Sequence, residues 1–172
     1  MHLRSLDWSI WLEGKGKMNN LSMPEVLTFF MSVLPISEAR GAIPFALAQG
    51  LSPLRAYLIG VIGNLVPVLP LLVGVKKLFT LSYRYEIGRK IFTWINRLST
   101  KRERIVRRYG FVGLTLLVAV PLPVTGAWTG SLVSAFLGLS IKYAFLAIFI
   151  GVCISAAIVL MTTLGIIEVL GM

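Results

Sequence analysis

Histidine and cysteine are almost missing from this chain. His2 and Cys153 are the only ones in 172 residues. A lone cysteine inside an apolar run excludes a disulfide framework, and no cluster has metal-ligand spacing. Acidic residues are also few, seven in all. No carboxylate pair, Cys/His nucleophile set or membrane-depth histidine is available for acid–base or covalent chemistry. A glycine-rich phosphate cradle followed by lysine is absent as well. The chain is therefore not expected to be an enzyme or to carry a metal or other cofactor.

Charge is missing over long distances too. There is none from Tyr109 to Ile141 and none from Tyr143 to Ile167. Each stretch exceeds the ~20 residues that cross a hydrocarbon core. Hydrophobic residues make up 56% of the chain, against roughly 45–50% in a soluble domain. A polytopic helical membrane protein follows.

What charge there is lies mostly in one place. The net charge is +10. Between Lys76 and Arg108, eleven basic residues face only Glu86 and Glu103, which leaves +9 of that total. A basic chain can bind nucleic acid, but a basic loop between hydrophobic blocks follows the positive-inside pattern better. Segment 76–108 is expected in the cytoplasm, against anionic headgroups, and nucleic acid is not an expected partner. Ile91, Trp94, Ile95 and Leu98 recur there at helical spacing, as in an amphipathic surface helix. At the other end, Met1–Asn20 lacks a signal-peptide pattern. It reads as a polar or interfacial leader with Trp8 and Trp11 as anchors, or as a disordered one.

Along the chain, Leu21–Leu34 is a short apolar helix that Pro35 ends. Pro35–Pro44 then sets Glu38, Arg40 and Gly41 between two prolines. A second short apolar piece covers about Ile43–Gln49. Two arrangements fit: one kinked span from Met23 to Gln49, or, preferred, a re-entrant hairpin with its tip near Glu38. Ser52-Pro53 opens a full span to about Val75, with proline at a favoured first-turn position. Gly60, Gly63, Asn64, Pro67 and Pro70 interrupt it. Tyr109–Val120 is apolar and stops at Pro121. Pro123, Thr125, Gly126, Trp128 and Thr129 follow in a Pro/Gly-rich stretch, then Ser131–Leu137, and a last span opens at Lys142.

The two halves echo each other. Gly50-Leu51-Ser52 matches Gly138-Leu139-Ser140, Ala56-Tyr57-Leu58 matches Ala144-Phe145-Leu146, and Ile62-Gly63 matches Ile150-Gly151, each at an offset of 88. Upstream, Gly41-Ala42 answers Gly126-Ala127, and Pro35 answers Pro121. The expected fold is all-α: an inverted repeat of two halves, each a re-entrant helical hairpin plus a full transmembrane helix. Residues 21–75 form the first half and 109–172 the second. Such halves can bring their tips together near the bilayer midplane, a recurring transporter construction.

At membrane depth an ionisable residue is costly, roughly 2.5 to 3.5 kcal/mol on insertion scales, and marks a candidate site. Glu38 and Arg40 are the only charges in either tip. Spacing of two does not place them on one helix face, although they can meet in a loop. They serve either as a structural pair or in substrate and proton handling. Burial and Arg40 pull the proton affinity of Glu38 in opposite directions, and a guanidinium can grip paired anionic oxygens. In the second tip Thr125 and Thr129 offer hydroxyls, and Trp128 an indole N–H and a flat face for a cation, or simply packing. Asn64 suits interhelical hydrogen bonding. The candidate substrate and proton site is thus Glu38, Arg40, Gly41, Pro44, Asn64, Thr125, Gly126, Trp128 and Thr129, with Pro35, Pro121 and Pro123 shaping the tips.

Three motifs, Glu38-Ala39-Arg40-Gly41-Ala42-Ile43-Pro44, Gly63-Asn64-Leu65-Val66-Pro67 and Pro121-Leu122-Pro123-Val124-Thr125-Gly126-Ala127-Trp128-Thr129-Gly130, together resemble the small multidrug export family. The resemblance runs over roughly Leu27–Leu164. It implies a small multi-pass protein of the cell membrane that moves a small or amphipathic substrate. A weaker likeness, in Tyr109-Gly110-Phe111 followed by Pro121 and Gly126, is to the DedA/VTT superfamily of lipid-handling membrane proteins. That superfamily has acidic residues in one tip and arginines in the other. Here the second tip has no arginine, and Arg40 shares the first with Glu38. Membrane lipids, a small-molecule or lipid substrate and protons are the expected partners, and the chain's small size argues for a homodimer or larger assembly.

Overall fold

The structure, a computed structural model, describes residues 22–82, 109–121 and 126–170. Among them every element is a helix: α1 (Met23–Val33), α2 (Glu38–Ala48), α3 (Pro53–Leu65), α4 (Val68–Ser82), α5 (Tyr109–Ala119), α6 (Ala127–Phe136) and α7 (Ile141–Leu170). The leader, most of the basic segment 76–108, and Pro123 and Thr125 lie outside the described residues.

Local chemistry sets the boundaries. α1 begins behind Ser22, with Pro24 in its first turn. The Glu25 carboxylate closes back on the Ser22 N–H at 2.8 Å, occupying a donor that the helix cannot use. Leu34, extended at φ −69° and ψ 138°, ends α1 because the residue before proline is pushed out of the helical region. α2 ends at Gly50, whose φ is +79°. There Leu51 N–H reaches the Ala46 carbonyl at 3.0 Å and Gly50 N–H reaches that of Leu47 at 2.9 Å. This paired closure needs a left-handed residue, which glycine adopts without steric cost. α6 ends in the same way. Gly138 has φ +66°, Leu139 N–H bonds the Ser134 carbonyl at 3.0 Å and Gly138 N–H that of Ala135 at 3.1 Å.

The structure alters two expected boundaries. The break around Glu38 is shorter than Pro35–Pro44: α2 already begins at Glu38 and carries Pro44 within it. α6 likewise begins at Ala127, so Trp128, Thr129 and Gly130 are helical. The span opened by Ser52-Pro53 runs as expected through Val75, with its interruption at Val66–Pro67 between α3 and α4. A proline there withdraws one backbone hydrogen bond and crowds the preceding turn.

α1, α2 and α3 pack on one another, α7 packs against α2, α3, α4 and α6, and α4 packs against α6. Glycines set the closest approaches. A Cβ on Gly63 of α3 would come within 2.7 Å of Ser32 Cβ and 2.9 Å of the Phe29 carbonyl in α1. A Cβ on Gly151 of α7 would come within 2.7 Å of Val118 Cβ and 2.9 Å of the Thr115 carbonyl in α5. Ser32 Oγ also donates to the Gly60 carbonyl at 2.7 Å, and Tyr57 Oη to the Cys153 carbonyl at 3.2 Å, joining α3 to α7. Large apolar side chains point outward as well as inward: Leu54, Leu58, Ile62 and Leu69 on α3–α4, and Ile154, Ile158 and Met161 on α7, are exposed. Segments Pro53–Val75 and Ile141–Val169 are long and apolar enough to cross a bilayer. In lipid, burial of apolar surface does not drive helix association, so close packing and interhelical hydrogen bonds must do so.

Candidate functional site

The break between α1 and α2 meets the start of α6. Glu38 is 5% exposed and its backbone has φ +47°. A left-handed conformation in a residue with a side chain costs of order 1–3 kcal/mol and persists where the surroundings hold it. The hold on Glu38 comes from the other half of the chain. Its carboxylate accepts the backbone N–H groups of Ala127 and Trp128, the first two residues of α6. A helix N-terminus offers unpaired amides and a positive dipole end, and both suit a carboxylate. Gly126 just before them has φ −169°, extended backbone that any residue adopts. Its glycine is needed for space alone: a Cβ there would land on the Glu38 carboxylate.

A second bond runs the opposite way. Trp128 Nε1 donates to the Val33 carbonyl at 3.2 Å, one of the end carbonyls of α1 that no helical amide reaches. Each break thus supplies one side chain to the other's backbone. The Trp128 indole N–H, read from the sequence as offered to a substrate or as part of a packing tryptophan, bonds within the protein.

Arg40 completes the polar centre. Its Nη2 lies 3.7 Å from Glu38 Oε2, close enough for charge attraction and too far for a hydrogen bond. This nitrogen is buried and has no hydrogen-bond partner. Asn64, 4% exposed, and Ser37 also keep buried oxygens without partners, Oδ1 and Oγ. Gly60 packs against Ala39 and Ile43 of α2, and α3 returns alongside α2 after the tight turn at Gly50. Asn64, one turn beyond Gly60, is therefore level with the start of α2. Buried polar atoms without partners are uncommon in folded proteins, and each calls for a role.

A family profile described as "Putative small multi-drug export protein" matches residues 38–158. The chain belongs to this family. With its two long apolar helical segments, Pro53–Val75 and Ile141–Val169, it is a membrane protein. No curated protein and no solved structure is significantly similar to it. The family match begins at Glu38 and takes in Arg40, Asn64, Gly126 and Trp128, the residues gathered around the two breaks.

The remaining expected residues are placed less centrally. Gly41 lies in the first turn of α2, where a Cβ would strike the Ser37 side chain. Pro44 is half-buried in the middle of α2, and Thr129 is half-buried in the first turn of α6. Pro35 is exposed in the first break, and Pro121, half-buried, follows α5. The Val33 carbonyl and the Ala127 and Trp128 amides were not legible beforehand, because every residue carries such groups. The nearest sequence signal for them was Gly126, whose missing side chain marks close approach.

Proposed function

We propose that the protein is a membrane transporter that moves a small or amphipathic substrate by alternating access, with a proton carried on Glu38. Its two halves are inverted repeats. In each, a re-entrant hairpin, α1–α2 or α5–α6, is followed by a full crossing, α3–α4 or α7. The family description supports export of small molecules. The inverted pairing is supported by the common helix endings at Gly50 and Gly138 and the common close contacts at Gly63 and Gly151. Segment 76–108 lies in the cytoplasm, so the first hairpin enters from outside and the second from inside. Lipids surround the protein, and a homodimer is its working form.

The observation that carries this proposal is the meeting of the Glu38 carboxylate with the N-terminus of α6. A buried ionisable group at the contact between two broken helices is positioned to sense a proton or substrate and to move the halves. A second reading, a flippase for phosphate-bearing lipids, is favoured by one feature: the buried Arg40 Nη2, which has no hydrogen-bond partner, since guanidinium groups bind phosphate oxygens well.

Reconstitution separates these readings. Purified protein in liposomes is expected to take up cationic dyes in response to a proton gradient, and Glu38→Gln to reduce uptake to background. Lipid flipping that is lost in Arg40→Ala, without dye uptake, would establish the flippase. If neither activity occurs, while Glu38→Gln and Arg40→Ala only lower stability, Glu38 and Arg40 are a structural pair in a membrane scaffold.

A further inference from the structure

We infer that the contact between the two helix breaks is a releasable latch, and that Arg40 receives the Glu38 carboxylate when the latch opens. The inference deepens the transporter proposal by naming the element that has two arrangements. The closed arrangement is the one observed. Glu38 accepts from the Ala127 and Trp128 amides, and Trp128 Nε1 donates to the Val33 carbonyl. Both bonds join the end of a helix in one half to a side chain in the other, so separating the halves breaks both together.

The open arrangement already has its partner in place. Arg40 Nη2 is buried, lacks a hydrogen bond and sits 3.7 Å from Glu38 Oε2. A small rotation of the carboxylate brings it into hydrogen-bond range of this nitrogen and takes it off α6. The carboxylate thus has two alternative sets of donors within reach and uses one, which is the physical requirement for a two-state element. Glu38 also has a left-handed backbone, φ +47°, with its N–H on the Leu34 carbonyl at 3.0 Å.

Among the described residues no other charge is near. α6 has no charged residue. The one charge on α1, Glu25, is at its far end and pairs with Arg55 of α3 at 3.3 Å. The charges of α7, Lys142 and Glu168, lie at its two ends, and Lys77 lies toward the end of α4. The latch therefore responds to whatever reaches Glu38 itself. A proton added to the carboxylate weakens its hold on two amides at once, and a cationic substrate group draws it away.

The Trp128 indole reports the state of the latch. Full-length protein containing 5-fluorotryptophan, in lipid nanodiscs, is followed by fluorine NMR, with the Trp128 resonance assigned by Trp128→Phe. At alkaline pH the resonance should sit at the latched position, and in Glu38→Gln at a different one. Acidification should move the unsubstituted protein toward the Glu38→Gln position, while Glu38→Gln itself does not titrate. Arg40→Gln removes both the receiving partner and the positive charge that opposes protonation of Glu38, so it should shift this transition to higher pH. If Glu38→Gln does not fold, Gly126→Ala, which keeps the carboxylate but crowds it off α6, should show the released position at alkaline pH. The latch is refuted if the Trp128 resonance is the same in all these proteins, or if its pH dependence persists in Glu38→Gln. Loss of dye uptake in Glu38→Gln with an unresponsive indole would remove the latch and leave the transporter. A responsive indole without transport of any kind would do the reverse.

Discussion

A glutamate buried in a membrane protein needs compensation, and Glu38 finds it in backbone amides from a segment about ninety residues away along the chain. Glu25 shows the more ordinary arrangement. It lies at the open end of α1, outside both long apolar spans, where the Ser22 N–H bonded to its carboxylate, with Arg55 beside it, holds its carboxyl below the usual 4.5. A carboxyl depressed in the folded state contributes stability above its unfolded value and loses it as pH falls through the folded one. Glu25→Gln should therefore lower the unfolding temperature at neutral pH. The difference from the unsubstituted protein should shrink as pH drops below 4.5. Thermal unfolding in detergent across that range checks both points; a difference that stays constant with pH would mean that the charge is not involved.

Among the elements, glycine carries two jobs that the sequence does not separate. At Gly50 and Gly138 it supplies a left-handed helix end, and both positions were legible from the matched Gly-Leu-Ser triplets. At Gly63, Gly130 and Gly151 it admits a neighbouring helix. Gly130, read with Gly126 as part of a break, is helical and packs on Val118, where a Cβ would come within 2.6 Å. For the same reason the breaks looked longer in the sequence than they are: prolines and glycines bracket them, yet Pro44, Gly41 and Gly130 sit inside helices. Helix existence was readable from apolar runs and from Pro35, Ser52-Pro53 and Pro121. The exact start of α2 was not, because it depends on Glu38 being held from across the molecule. Gly63→Ala and Gly151→Ala are each expected to cost about 1–3 kcal/mol by overpacking. Gly113→Ala and Gly165→Ala, with open space around them, should be neutral or slightly stabilising because alanine favours helix. Unfolding of the four variants in detergent tests this. Equal behaviour of all four would show that the close contacts between α1 and α3, and between α5 and α7, do not set stability.

For the whole molecule, the charged residues of the first break were legible as a candidate site because charge is so rare in the apolar sequence. Their counterpart was legible only as a Pro/Gly-rich stretch, since what α6 contributes is backbone. In the proposed transporter the halves are inverted, so that hairpins entering from opposite faces meet at Glu38 and Gly126. Sidedness decides it. The turn after α2 and the turn after α6 carry exposed Gln49 and Ser140. If α1–α2 and α5–α6 are re-entrant, these turns lie on opposite faces of the membrane. If both helix pairs cross it, they lie on the same face. Single cysteines at Gln49 and Ser140, in a Cys153→Ala background, are labelled in intact cells with a membrane-impermeant maleimide. Inverted halves give labelling of Gln49→Cys from outside and of Ser140→Cys only after the cytoplasmic face is opened. Labelling of both from the same face would contradict it.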